Sequence, residues 1–141
     1  MEFMKKCGNY MNTYGDFLLR VVVGLIMTIS GFGKLFATPG IEGFSGMLSG
    51  LGFPIPSALA VIVGIIELLG GLILIIGYFD KYAARLLAII ILVAIITVHL
   101  KDGWNGFKYQ LLLFAALLRY FGNSQTTLMN MIKNKFKPYK T

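Results

Sequence analysis

The chain of 141 residues contains one cysteine and one histidine. A lone Cys7 forms no internal disulfide, no dithiol relay and no thiolate metal site, which leaves acylation near a membrane or an inert thiol. A lone His99 cannot grip a haem from both sides, and no companion ligands for a metal are evident. Charge is scarce too. Only 13% of residues are charged, whereas a soluble domain carries about a quarter. No phosphate loop, nucleophile triad or paired carboxylate is present.

What is abundant is apolar. Hydrophobic residues make up 57% of the chain, in four runs at 17–37, 57–77, 82–100 and 106–121. A helix needs roughly 20 apolar residues to cross a bilayer; three runs are close to that, and the fourth is shorter. The expected fold is all-α, an integral membrane four-helix bundle. The first run is expected to be retained, because a polar stretch parts it from Lys5 and Lys6 and no small-residue cleavage site follows.

The net charge of +7 reads as topology. Lys5, Lys6, Arg20, Lys81, Arg85, Arg119, Lys133, Lys135, Lys137 and Lys140 fall on one side. Lys34, Lys101 and Lys108 fall on the other. The positive-inside rule then places both termini in the cytoplasm, at the plasma membrane. Basic residues in a short tail match anionic lipid headgroups, and no nucleic-acid partner is expected.

Residues 1–16 read as a cytoplasmic flank, 17–122 as the membrane domain and 123–141 as a basic tail. "FDKYAAR" (79–85) and "KDGWNG" (101–106) read as tight turns, which make helices two to four antiparallel neighbours. The longer connection, "TPGIEGFSGMLSGLGFPIP", places Ile41, Phe44, Met47, Leu48 and Leu51 at helical spacing. It predicts a short amphipathic helix on the outer surface.

Glu67 interrupts "VGIIELLGGLILIIG" near the middle of the second run. A charged carboxylate at that depth costs roughly 2.5–3.5 kcal/mol on insertion scales. Ala60, Gly64, Gly70 and Gly71 share its helical face, and such small residues admit a close neighbour. In the first run, Arg20, Gly24, Met27, Gly31 and Lys34 form one seam that can pack against that face. Lys34 is the expected partner of Glu67, across a depth gap of about 10 Å at 1.5 Å per residue. A long lysine stem, helix tilt or a water would close it. Each residue has a plainer reading as well. Glu67 can be a protonated carboxyl gluing helices, Lys34 can snorkel outward, and Arg20 can be a cytoplasmic anchor. His99 can relay protons or rest at the interface; Gln110 can bond Glu67, His99 or a backbone group.

Arg20, Gly24, "GFGKLF" (31–36), "GLGFPIP" (50–56) and "ELLGGLILIIG" (67–77) together resemble the DoxX family of small four-helix membrane proteins. The resemblance runs from Phe17 to Gly122. It implies an association with redox or oxidative-stress systems, since the family takes its name from a membrane subunit of an archaeal thiosulfate:quinone oxidoreductase. His99 falls where some members carry a polar residue. Many members have an acid near the start of the last helix, where this chain has Gln110, so an acid-dependent role there does not transfer. Relatives in the wider clan use cysteine pairs, which this chain cannot form.

The expected function is a membrane subunit of a quinone-linked oxidoreductase. Glu67 would be proton-active, with Lys34 as its charge partner, His99 as a relay, and Arg20 and Gln110 toward the bound quinone. Gly24, Gly31, Gly64, Gly70 and Gly71 would pack the helices. No intrinsic cofactor or metal is expected, so electrons come from a redox partner protein or a bound quinol. Two rivals remain: an oligomeric carrier or channel component for a small solute or lipid, and a structural anchor whose buried pair fixes packing.

Overall fold

In a computed structural model, the backbone is described for residues 1–99 and 104–121, and side chains for residues 1, 14–97 and 108–121. Five α-helices account for nearly all of it: α1 (Glu2–Phe36), α2 (Gly40–Gly50), α3 (Pro56–Ile76), α4 (Asp80–Ala94) and α5 (Trp104–Leu118). A π-helical turn, Ile95–His99, extends α4. No strand occurs among the described residues.

The helix ends follow local chemistry. Pro56 opens α3, where its missing N–H costs nothing. Gly77 closes α3 in the left-handed region (φ 75°), and its N–H donates to the Ile73 carbonyl at 2.9 Å. Asp80 then opens α4, and its Oδ1 accepts the Lys81 N–H at 2.9 Å, a favourable place for an anion.

One expectation needs correction. The turn after α3 is only residues 77–79, and Asp80 to Arg85 already belong to α4. α1 begins at Glu2, so the amino-terminal stretch is helical and continuous with the first apolar run. No proline interrupts that stretch, and an interior glycine such as Gly15 costs about 1 kcal/mol, too little to stop a long helix. In "KDGWNG", Trp104, Asn105 and Gly106 are helical, and the first three residues lie outside the described ones. The short amphipathic helix after the first run is present as α2, with Leu48 buried.

α1 and α3 form the antiparallel spine. A Cβ on Gly24 would lie 2.7 Å from the Gly71 carbonyl oxygen, and one on Gly31 would lie 2.7 Å from that of Gly64. Both pairs therefore let two backbones touch. α2 rests on α1 and α3, α4 packs on the other side of α3, and α5 packs on α4 and reaches α1.

Large aliphatic side chains cover much of the outside as well as filling the core. Glycine, alanine and ion pairs line the spine, whereas Leu25, Ile29, Ile62, Leu69, Leu86, Ile89 and Leu112 are exposed. Two segments, Tyr14–Phe36 and Pro56–Ile76, are long and apolar enough to cross a membrane. Only 28% and 33% of their most apolar windows are buried within the chain, so neither is the sealed core helix of a soluble protein.

Candidate functional site

Glu67 lies midway along α3, 6% exposed, on the face that meets α1. Gly31 and Gly64 bring the two helices close enough for α1 side chains to reach it. Lys34 pairs directly with Glu67 Oε2, so the depth gap closes through the lysine stem with no water required. Ser30, one turn before Lys34, completes the group. Its hydroxyl donates to the same Oε2 at 2.9 Å and accepts from Lys34 Nζ at 2.8 Å. Above them, the Phe44 ring of α2 lies 5.2 Å from Lys34 Nζ, within range of a cation–π contact.

This arrangement has a direction. The Glu67 side chain is 8% exposed and that of Lys34 is 23% exposed, so anything approaching meets the ammonium first. The buried oxygen accepts from both a charged donor and a hydroxyl. Lys34 therefore does not snorkel outward but turns inward to the acid.

Arg20 departs further from its plain reading. It is 1% exposed and sits 3.5 Å from Asp80 Oδ2. Its guanidinium lies where a side chain on Gly77 would be, 2.6 Å from that missing Cβ. A buried lock between α1 and the start of α4 replaces the cytoplasmic anchor. At the same end, Arg119 pairs with Asp16 at 3.0 Å, and the Tyr120 hydroxyl donates to the Asp16 carbonyl at 2.8 Å.

Of the remaining expected site residues, Gln110 is half-buried on α5, whose neighbours are α4, the π-helical turn and α1. It has an interaction of its own. The side chain of His99 lies outside the described residues. Gly24, Gly31, Gly64 and Gly71 line the spine, and Gly70 packs against Leu87 of α4. No metal-binding group of acids, histidines and cysteines occurs among the described residues. Sequence reasoning missed Ser30, Phe44 as a partner of Lys34, and Asp80. The spacing of Ser30 from Lys34 was one available signal, since residues four apart share a helix face.

The DoxX family model matches residues 15–100, which contain Arg20, Ser30, Lys34, Glu67 and Asp80. The chain belongs to the DoxX family. It is also 35% identical over 112 residues to "Putative oxidoreductase CatD" of Bacillus subtilis (strain 168), covering 77% of this chain and 80% of that one. No solved structure gives a significant match. DoxX proteins are membrane-associated, which agrees with the two long apolar helices here. The DoxX match ends before α5, so Gln110 lies beyond it.

Proposed function

We propose that this DoxX-family protein crosses the plasma membrane with four helices, both termini in the cytoplasm, and serves as the membrane subunit of a quinone-linked oxidoreductase. The exposed aliphatic faces of α1, α3, α4 and α5 support the four spans. α4 has fifteen residues and the π-helical turn adds five, together long enough to cross. α5 has fifteen and fits with aromatic residues at its ends.

The observation that carries the redox reading is the Lys34–Ser30–Glu67 group. An ionisable pair inside an apolar bundle marks a path for protons or substrate, and the Bacillus relative is named an oxidoreductase. The residues fit a quinone headgroup: two donors and one acceptor lie together beside an aromatic ring. A bound quinone would supply the electron chemistry, and a partner protein would exchange electrons with it. Lys34, the more exposed member, would hold a ring oxygen of such a quinone. Glu67 holds or releases the proton. Ser30 fixes the carboxylate that does so.

The test is Glu67→Gln in the complex purified from native membranes, with partners and bound quinone identified by mass spectrometry. Quinone-linked turnover falls by about 100-fold or more, the usual size of a lost general acid–base group, while yield and thermal midpoint hold. Full activity in that variant ends the proton-handling role.

A further inference from the structure

At the turn between α3 and α4 the chain spends conformational strain on an exposed ring. Phe79 has φ 58°, in the left-handed region that an L residue enters at a steric cost. Its carbonyl accepts from the Tyr82 and Ala83 N–H groups, which starts α4, but glycine or asparagine would hold that backbone more cheaply. What phenylalanine adds is its ring, and that ring is 62% exposed. It forms a group with its neighbours: Tyr78 lies edge-on at 4.6 Å and Tyr82 at 6.3 Å, both also exposed. Among the described residues, none buries the ring in return for that strain.

Cations sit among these rings. Lys81 Nζ lies 5.0 Å from the Tyr82 ring. Arg85, one turn beyond Lys81, is exposed, and its Nη2 donates to the Phe121 carbonyl at 3.1 Å. That bond holds one guanidinium nitrogen, and no second partner of Arg85 occurs among the described residues. From Tyr82 an exposed stripe of Leu86, Ile89, Val93 and Ile96 continues along α4 and into the π-helical turn. Rings and cations are therefore interleaved from Tyr78 to Arg85, and the aliphatic track follows them.

We propose that this face binds an anionic phospholipid, its phosphate between Lys81 and Arg85, its acyl chains along the α4 stripe, and the Tyr78–Phe79–Tyr82 collar at the headgroup level. Charge selects an anionic headgroup, and the adjoining aliphatic track selects a lipid over a soluble anion. The inference rests on the membrane-spanning part of the function proposed above and is independent of its redox part. It also fixes this end of the molecule at the more anionic leaflet.

The test uses the full chain in nanodiscs of phosphatidylcholine and phosphatidylglycerol in equal amounts, with retained lipid measured by native mass spectrometry. Recovery of each variant in carbonate-washed membranes checks the span separately. Wild type retains phosphatidylglycerol preferentially, and the preference falls about fivefold for each basic residue removed in Lys81→Gln and Arg85→Gln. Lys108→Gln leaves it intact. Phe79→Gly lowers the preference while the thermal midpoint in uncharged detergent holds or rises, because the backbone cost is relieved. Equal retention of both lipids, or a preference untouched by Lys81→Gln and Arg85→Gln, overturns the proposal. Stabilisation by inorganic phosphate in uncharged detergent equal to that by phosphatidylglycerol also overturns it, in favour of a soluble anion.

Discussion

Two cation–carboxylate pairs are anchored on α1, about 21 Å apart along it at 1.5 Å per residue, and they are buried in opposite ways. In Arg20–Asp80 the cation is sealed, 1% exposed, under Gly77. In Lys34–Glu67 the acid is the deeper member, the cation is partly open, and Ser30 shares both charges. Arginine stays protonated at any working pH, whereas lysine and glutamate can change state. A sealed pair built on arginine ties elements together. A partly open pair built on lysine can exchange one of its partners for a ligand. Burial of charge alone does not separate a lock from a site; the accessibility of one member does.

The comparison breaks most visibly at Arg20. Arg20→Met strands Asp80 without its counterion and costs about 3–5 kcal/mol, as removal of one member of a buried pair does. Thermal unfolding in detergent should register it, and adding Asp80→Asn should recover part of the loss. Next comes the spine between the pairs. Gly31→Ala drives a methyl into the α3 backbone beside Gly64 and Leu68, an overpacking cost of about 1–3 kcal/mol. Because α1 and α3 must separate, that variant should also lose quinone-linked turnover. Ser30→Ala has the smallest effect, about 1 kcal/mol for one partly buried hydrogen bond, with turnover reduced but not abolished.

Much of the spine was legible before the structure. Glu67 at the centre of an apolar run, with glycines three and four residues away, identifies a buried helix face. The Arg20–Lys34 seam identifies the helix that covers it. The amphipathic spacing from Ile41 to Leu51 similarly announces α2. What escaped was tertiary. Ser30 looks like any serine in a membrane helix until α3 brings Glu67 within reach. Asp80 reads as a turn residue, since "FDKYAAR" carries polar punctuation, yet it opens α4 and pairs with a residue sixty positions earlier. Arg20 at the edge of an apolar run looks like an interfacial anchor until Gly77 makes room for it inside. The helical state of the polar amino-terminal stretch was missed for a simpler reason: an apolar run marks where lipid begins, not where a helix does.

The most direct measurement is a side-by-side comparison of Glu67→Gln and Asp80→Asn, each scored for thermal midpoint and for quinone-linked turnover per folded molecule. Asp80→Asn should lower the midpoint and keep turnover, while Glu67→Gln should keep the midpoint and lose turnover. If Glu67→Gln instead lowers the midpoint as much as Asp80→Asn does and leaves turnover whole, Lys34–Glu67 is a second lock, and the site lies elsewhere.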